Sequence, residues 1–218
     1  MKKLDVLDLG LRNYKEVWDL QRKLVYKRIS DDIPDSLILV EHFPVITLGR
    51  QAKKEEVLVS KSYLSKRRIS LFQIERGGKA TFHGPGQLVA YPIINLALNE
   101  KDLHKYLRNL EETVIRLLKK VGVKGERKER YTGVWVKDKK IASIGIAIKK
   151  WVTYHGLALN VNVDLSYFSL IFPCGMDNKK VTSLREIFSY PVEMDKVKKL
   201  FISSFCEVFN YSKYRFSH

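Results

Sequence analysis

Residues 133–163 read GVWVKDKKIASIGIAIKKWVTYHGLALNVNV and decide the fold class of this 218-residue chain. Three runs rich in Val, Ile, Leu and Trp follow one another with only short charged stretches between them. Short apolar runs bounded by turn residues are typical of β-strands, and a short connection between two of them favours a hairpin. We therefore predict strands over 133–136, 141–148 and 151–163, the first two joined by a turn at 137–139.

The same organisation extends toward both ends of the chain. Apolar residues predict further strands over 37–40, 45–48, 69–75 and 88–96, with a turn-prone stretch at 76–86. Helical spacing predicts amphipathic helices over 14–28, 103–121 and 197–208, and Gly122 follows the second as a C-cap. Because strands come in groups and few β-α units alternate, we predict an α/β fold of the α+β type. Its sheet is expected to be mixed, largely antiparallel and flanked by helices. No repeat or linker interrupts the chain, so residues 1–218 are predicted to form a single domain.

Composition excludes several classes of protein. Hydrophobic residues make up 45% of the chain, which is enough for a globular core and argues against disorder. No stretch approaches the ~18 consecutive apolar residues of a membrane span, and the first residues do not resemble a secretory signal. Cys174 and Cys206 are too few for a disulfide framework. We therefore expect a cytoplasmic protein in which both cysteines are thiols.

Charge is the most pronounced bulk property. Forty Lys and Arg residues against 24 Asp and Glu residues give a net charge of +16. The basic residues occur as scattered pairs along the chain, which suits a folded basic surface better than a disordered arm. Such a surface favours an acidic partner, which can be nucleic acid, a membrane surface or an acidic protein, although a solvated Lys-rich surface would also explain it. Composition alone does not choose among these.

A glycine-rich stretch stands out at residues 76–87, which read RGGKATFHGPGQ. It contains four of the chain's 12 glycines, together with Arg, Thr and His. Glycines let backbone N–H groups approach a ligand closely, so the stretch is a candidate binding loop. It lacks the Gly-Lys-Ser/Thr ending of a phosphate-binding P-loop. The alternative is an ordinary turn between two strands.

Several side chains could carry chemistry. Cys174 lies between Pro173 and Gly175, which would hold its thiol at a defined corner, and His83 and His155 each precede a glycine. Together they permit a Cys/His nucleophile, although a small buried cysteine and hydrogen-bonded histidines are simpler explanations. Lys140 begins an apolar strand, where partial burial could pair its ammonium with a thiolate. No Cys or His spacing suits zinc, so no metal site is expected.

Taken in their order along the chain, these motifs resemble the octanoyltransferase family. The motifs are RGGKATFHGPGQ at 76–87, GVWV at 133–136, KIASIG at 140–145, HGLALNV at 155–161, PCG at 173–175 and TSL at 182–184. EHFPVITLGR at 41–50 fits the same family, and the likeness runs from about residue 14 to about residue 184. Phe82 stands where a Tyr is usual and Phe43 where a Pro is common, and neither departure touches Cys174 or Lys140.

The resemblance implies the fold of biotin and lipoate protein ligases. It also implies transfer of an octanoyl group from octanoyl-acyl carrier protein to the target lysine amine of lipoyl domains. Expected acceptors are the lipoyl domains of 2-oxoacid dehydrogenase complexes and the glycine cleavage H protein. The catalytic pair would be Cys174, which forms an acyl thioester, and Lys140, which activates the thiol and acts as base. Substrate binding is assigned to Arg76, Gly77, Gly78, Lys79, Ala80, Thr81, Phe82, His83, Ser143, Ile144, Gly145, Gly156, Leu157 and Ala158.

The chemistry of the two catalytic side chains is consistent with this assignment. A thiolate is both a good nucleophile and a good leaving group, but a free cysteine with a pKa of about 8.5 is mostly protonated at neutral pH. A neighbouring Lys140 ammonium would favour the thiolate. The donor thioester is already activated, so no cofactor is expected. The resemblance implies two protein substrates, so neither nucleic acid nor a membrane is an expected partner.

Two other functions remain open on the sequence. An ATP-dependent lipoate or biotin protein ligase on the same fold would need ATP and would not need Cys174. A basic nucleic-acid-binding module would explain the charge of +16 but not the Cys, Lys, His and Gly motifs.

Overall fold

Two β-sheets and the helices around them organise the chain. The computed structural model describes residues 3–98, 101–129, 131–172 and 181–217. The helices are α1 (Tyr14–Ile29), α2 (Lys61–Lys66), α3 (Leu103–Lys120), α4 (Leu184–Phe188) and α5 (Met194–Phe209). The strands are β1 (Lys3–Arg12), β2 (Asp35–His42), β3 (Val45–Leu48), β4 (Ser70–Gln73), β5 (Ala80–His83), β6 (Gln87–Ile93), β7 (Glu126–Lys128), β8 (Tyr131–Val136), β9 (Lys139–Lys149), β10 (Val152–Asn160) and β11 (Lys213–Phe216).

Strand directions agree with the sequence prediction. Within the described residues, the larger sheet has eight strands in the order β11-β1-β2-β6-β10-β9-β8-β7. Pairing is parallel from β11 to β2 and antiparallel from β2 to β7. The smaller sheet has the order β4-β3-β5, with β3 parallel to β4 and antiparallel to β5. The predicted mixed, largely antiparallel sheet flanked by helices is confirmed.

Helices cover both faces of the larger sheet, and strand β2 shows the consequence. Leu37 and Leu39 belong to the core cluster that also contains residues of α3 and α5. Ile38 and Val40 pack on the opposite side with Val17 of α1. Successive side chains of a strand point to opposite faces of its sheet. Because both faces are covered, β2 is apolar in consecutive positions, which explains the unbroken run in the sequence.

A second hydrophobic cluster lies under the smaller sheet. It joins Ile46 and Leu48 of β3 and Phe82 of β5 to Phe168, which lies in a 3₁₀ helix at Leu165–Leu170. The Phe82 ring also stacks on Tyr167, with centroids 4.7 Å apart. The smaller sheet therefore has packing of its own and forms a stable support for the glycine-rich segment that crosses it.

The structure differs from the sequence prediction in several places. The stretch predicted to be turn-prone at 76–86 contains strand β5, which pairs with β3 from Ala80↔Leu48 to His83↔Val45. Glycines lie on both sides of this strand and Pro85 follows it, so turn signals surround its short β pattern. Strand β10 begins one residue later than predicted, because Lys150 and Trp151 form the preceding turn with φ values of 48° and 65°. Strands β1, β7 and β11 and helices α2 and α4 were not predicted.

Candidate active site

A pocket of about 420 Å³ lies where the two sheets meet near the beginning of α3. Residues of β9 and β10 form one wall, the segment 76–83 forms another, and Leu103 and Leu107 contribute from α3. Ligand sites of small molecules usually have volumes of this order and combine apolar walls with a few polar groups. The pocket is therefore the candidate active site among the described residues.

Most of the predicted substrate-binding residues line this pocket. They are Arg76, Gly77, Gly78, Lys79, Thr81, His83, Ser143, Ile144, Gly145, Gly156, Leu157 and Ala158. Ala80 and Phe82 lie on the other face of β5 and belong to the hydrophobic cluster under the smaller sheet. Their placement follows from the two-residue period of a strand, which directs Thr81 and His83 toward the pocket and their neighbours away from it.

The glycine-rich segment and strand β9 touch directly. The Gly77 N–H donates to the carbonyl oxygen of Ile146 at 2.9 Å. A Cβ atom added to Gly145 would lie only 2.9 Å from the Gly77 carbonyl oxygen, which is closer than ordinary packing allows. Gly77 and Gly145 are 68 positions apart in the sequence, counted from 77 to 145. Their segments form one continuous wall because Gly145 has no side chain.

Lys140 is buried in the wall of the pocket. It lies on β9, where only 6% of its surface is exposed, and it lines the pocket. Its Nζ atom lies 5.0 Å from the centre of the Trp135 ring. A cation beside an aromatic face is attracted by the electron density of the ring. The predicted catalytic lysine is therefore held by packing and not left on a solvated surface.

Cys174 lies outside the described residues, but the chain on both sides of its segment is described. Before it, the Phe172 N–H donates to the Glu56 carbonyl oxygen at 2.8 Å. After it, Val181 pairs with Lys140 as an isolated parallel bridge, and the Thr182 N–H donates to the Lys140 carbonyl oxygen at 3.0 Å. The described chain therefore resumes directly beside Lys140.

Cys206, the other cysteine, has no place in the pocket. It lies on α5 and packs partly buried against the main core. Burial raises the pKa of its thiol, and the nearby Glu207 carboxylate adds to this effect. The side chain is therefore explained by helix packing, as the sequence pattern indicates.

The described lining of the pocket is electropositive. It contains the basic residues Arg50, Arg76, Lys79 and Lys140 and no Asp or Glu. Arg76 is buried, and its Nη2 atom donates to the carbonyl oxygen and the hydroxyl oxygen of Thr47 at 2.7 and 2.9 Å. Positive charge in such a lining stabilises anions such as a thiolate or an oxyanion.

The two histidines named in the sequence analysis both line the pocket. Burial lowers the pKa of His83 to about 3 and also lowers the pKa of His155. Nε2 of His155 lies 3.5 Å from Oε2 of Glu75. The contact with His155, together with the Arg22 guanidinium at 2.7 Å, lowers the pKa of the Glu75 carboxyl to about 2. At neutral pH the pocket therefore holds neutral imidazoles beside fixed cations.

Several lining residues were not singled out from the sequence. They are Tyr14, Gln51, Val89, Tyr91, Leu103, Leu107, Tyr131, Thr132 and Ile146, in addition to Arg50. Leu103 and Leu107 are the first members of the apolar stripe of α3. Helical periodicity alone does not distinguish these two, which line the pocket, from the later members, which pack in the core. Ile146 lies on the same apolar strand as Ser143 and Gly145. The sequence does not show that its side chain lines the pocket, because neighbouring apolar residues of the strand look alike.

Metal-binding clusters and membrane-spanning helices are absent from the described part of the chain. No group of three or more His, Cys, Asp or Glu side chains there is arranged to hold a metal ion. None of the described helices combines the length and apolar character needed to cross a membrane.

Comparison with known proteins agrees with this geometry. The sequence model of the lipoyl protein ligase A/B catalytic domain matches residues 13–206. An octanoyltransferase of Caldanaerobacter subterraneus subsp. tengcongensis is 49% identical over 210 residues, which cover 96% of this chain and 91% of that protein.

Solved structures show the same fold at lower sequence identity. A bipartite lipoate protein ligase of Thermoplasma acidophilum superposes with a TM-score of 0.77 at 20% identity and covers 100% of this chain and 87% of its own. The biotin protein ligase of Aquifex aeolicus has a TM-score of 0.55 at 14% identity, with coverages of 96% and 70%. The fold predicted from the motifs is thereby confirmed. The chain belongs to the lipoyl protein ligase A/B catalytic domain family and, within it, to the octanoyltransferases.

Proposed function

We propose that this acyltransferase moves an octanoyl group from octanoyl-acyl carrier protein to the target lysine amine of lipoyl domains. The reaction passes through a thioester on Cys174, with Lys140 as thiol activator and base. Membership of the octanoyltransferases supports the acyl-transfer class. The donor, the covalent intermediate and the catalytic pair are the proposed elements.

The observation that carries the proposal is the position of Lys140. Its side chain lines the pocket, and its backbone pairs with Val181, the first described residue after the segment that contains Cys174. A buried ammonium beside a thiol favours the thiolate by Coulomb attraction. The described lining of the pocket contains basic side chains and no Asp or Glu, which supports such a field. The same positive field would stabilise the oxyanion that forms when a thioester carbonyl is attacked.

The proposed reaction has two steps, acylation of Cys174 and transfer of the octanoyl group to the acceptor amine. In the first, Sγ of the Cys174 thiolate bonds to the octanoyl carbonyl carbon and the carbon–sulfur bond to the carrier breaks. The leaving sulfur takes a proton from the Lys140 ammonium, so the carrier leaves as a thiol and Lys140 becomes neutral. In the second, the neutral lysine amine of the acceptor attacks the Cys174 thioester, the amide bond forms and Cys174 leaves as a thiolate. Neutral Lys140 takes the proton from the attacking nitrogen. The active site thereby returns to an ammonium beside a thiolate, ready for the next donor.

The pocket also offers room and apolar surface for an acyl chain. Ile144, Ile146, Leu157 and Ala158 line it from the larger sheet, and Leu107 lines it from α3. Burial of a methylene group is worth about 0.8 kcal/mol, so an eight-carbon chain could contribute several kcal/mol to binding. This supports a medium-length acyl group as the transferred unit.

The proposal is tested by intact-protein mass spectrometry. Incubation with octanoyl-acyl carrier protein alone should add one octanoyl mass that hydroxylamine removes. Cys174→Ser should abolish the adduct, whereas Cys206→Ser, the matched cysteine control on α5, should keep it. Subsequent addition of an apo-lipoyl domain should transfer the label to that domain. A hydroxylamine-labile adduct that persists in Cys174→Ser would overturn the mechanism.

The ligase fold motivates one alternative, an ATP-dependent lipoate or biotin protein ligase on the same scaffold. The same assay separates the two functions. Transfer from the carrier without ATP supports the proposed transferase. Acceptor modification that requires free acid and ATP, and that survives Cys174→Ser, would support the ligase.

A further inference from the structure

A continuous chain of buried hydrogen bonds runs beneath the pocket. Nδ1 of His83 lies 2.7 Å from Oε1 of Gln87, and Nε2 of Gln87 donates to Oδ1 of Asn160 at 2.9 Å. Nδ2 of Asn160 then donates to the Thr182 carbonyl oxygen at 3.0 Å. All four residues are at most 7% exposed. The Thr182 N–H in turn donates to the Lys140 carbonyl oxygen, so the chain connects the pocket histidine to the backbone of Lys140.

Backbone carbonyls fix the direction of every bond in this chain. A carbonyl oxygen can only accept, so the Asn160 group that faces Thr182 must be its NH₂. The Gln87 NH₂ is fixed twice, because it also donates to the Phe82 carbonyl oxygen at 3.3 Å. Oε1 of Gln87 must therefore face Nδ1 of His83. An amide oxygen only accepts, so Nδ1 must carry the proton.

The opposite nitrogen of the ring has the complementary property. In a neutral imidazole with a proton on Nδ1, Nε2 is an acceptor. Nε2 of His83 lies 3.5 Å from the Thr47 hydroxyl oxygen, which itself accepts a hydrogen bond from Arg76. That contact is at the limit of a hydrogen bond, so a better donor in the pocket can compete for Nε2. Burial keeps the ring neutral, and His83 itself lines the pocket.

We infer that Gln87 and Asn160 are positioning residues that hold His83 in the Nδ1–H tautomer. Nε2 of His83 then serves as the acceptor that orients an N–H of the incoming lysine amine. The amine assignment rests on the proposed function, whereas the tautomer follows from the hydrogen bonds alone. An acceptor of this kind can orient an amine by accepting a hydrogen bond from its N–H. The unprotonated Nε2 cannot form a hydrogen bond with the carbonyl oxygen of the carrier thioester, because both atoms are acceptors.

Imidazole ¹⁵N NMR of the wild-type protein tests the tautomer directly, with His83→Gln used to assign the signals. The expected spectrum shows a protonated Nδ1 and an unprotonated Nε2 for His83. Gln87→Met, which keeps the length of the side chain and removes both amide functions, should abolish this preference. Gln21→Met is the matched control, because Gln21 is also a fully buried amide but lies outside the chain. A wild-type spectrum with the proton on Nε2 would overturn the inference.

Separate measurement of the two half-reactions tests the amine role. Gln87→Met should slow transfer from acyl-enzyme to the lipoyl domain about tenfold, the worth of one hydrogen bond of about 1.4 kcal/mol, and leave acylation by the donor nearly unchanged. Equal slowing of both steps, of the size seen in Gln21→Met, would indicate a merely structural role and overturn the assignment. If the wild-type protein forms no acyl-enzyme at all, the proposed function fails and the amine role fails with it. The spectra still decide on the tautomer.

Discussion

Gly133 lies directly against the side chain of Lys140. A Cβ atom added to Gly133 would be 2.6 Å from Cε and 3.2 Å from Nζ of that lysine. The Gly133 N–H donates to Oε1 of Glu111 at 3.0 Å, and this buried carboxylate is held by Arg108 and Arg127. Gly133 has a φ of 143°, a backbone conformation that other residues rarely adopt. Space for the lysine is therefore created by a glycine whose position is anchored from the core.

Gly133→Ala should displace Lys140 and slow acyl transfer at least tenfold. The new methyl group would also lie 2.6 Å from the Ala142 carbonyl oxygen, so we expect a stability loss of about 1–3 kcal/mol as well. Gly122→Ala is the control, because Gly122 has a φ of 78° and no atom within 4 Å of an added Cβ. It should lose about 1 kcal/mol from backbone strain and keep its activity. The measurements are urea denaturation and transfer rates of both variants. Equal loss of activity in two variants of equal stability would contradict a specific effect on Lys140.

Lys140 should set the reactivity of Cys174. Without a neighbouring ammonium the thiolate loses its Coulomb stabilisation, so Lys140→Ala should raise the pH midpoint of Cys174 alkylation and slow transfer severely. Lys140→Arg keeps the charge but cannot act as base, so it should preserve alkylation better than transfer. Lys139→Ala is the neighbouring control, since Lys139 is exposed and pairs with Glu186.

Peptide mass spectrometry after iodoacetamide treatment at several pH values provides the measurement. Cys206 serves as an internal reference, because its raised pKa makes it react only at higher pH. An identical Cys174 profile in the wild type and in Lys140→Ala would show that the two side chains are not coupled.

Mild acid should destabilise the protein before most carboxylates titrate. Burial lowers the pKa of His42 to about 4 and that of His83 to about 3, and it lowers the pKa of His155 as well. Near pH 6.5 the histidines of the unfolded chain bind protons, whereas those of the folded chain stay neutral. The free energy of unfolding therefore decreases as the pH is lowered below about 6.5. Each histidine should remove up to about 1.4 kcal/mol per pH unit below pH 6.5.

The measurement is the free energy of unfolding in urea between pH 7 and pH 5. His42→Gln should reduce the slope, because this histidine is buried against Tyr91 and lies outside the pocket lining. A free energy that stays constant over this interval would contradict the assignment of buried neutral histidines.

The basic surface should accelerate encounters with an acidic carrier. Arg50, Lys53, Lys54, Lys149 and Lys150 are exposed and flank the motif segments in sequence. Lys179 and Lys180 flank them as well and lie outside the described residues. Charge of this kind raises association rates and is screened by salt. Raising salt should therefore increase KM for octanoyl-acyl carrier protein far more than for octanoyl-CoA. Equal salt sensitivity of the two donors would argue against electrostatic docking of the carrier.

A single substitution in the turn between β9 and β10 should raise the stability of the folded protein. Lys150 has a φ of 48°, where a glycine avoids the steric cost of a side chain, so Lys150→Gly should stabilise the protein by about 1 kcal/mol. Lys149→Gly is the paired control, since Lys149 lies in β9 opposite Val152 and packs over the Tyr26 ring at 4.1 Å. It should destabilise by a similar amount. Thermal denaturation that shifts both variants in the same direction would contradict this explanation.

Local sequence patterns determined much of the fold. The three runs in 133–163 form consecutive antiparallel strands, and the stripe from Leu103 forms α3, which ends at Lys120, two residues before Gly122. These features rest on neighbours in the sequence, where side-chain periodicity and turn residues act directly. The ordered motifs also identified the family, and the motifs at 76–87, 140–145 and 155–161 contribute residues to the pocket lining.

Only the tertiary structure decided which segments meet. Strand β11 pairs with β1 from the other end of the chain, and no local pattern identifies a partner that far away. Two neighbours in one motif, Thr81 and Phe82, separate into the pocket and the core, because a strand turns alternate side chains to opposite faces. The hydrogen-bond chain from His83 to Asn160 joins residues 77 positions apart, counted from 83 to 160. The sequence contains its donors and acceptors, but only packing fixes which of them face each other and hence where the proton of His83 lies.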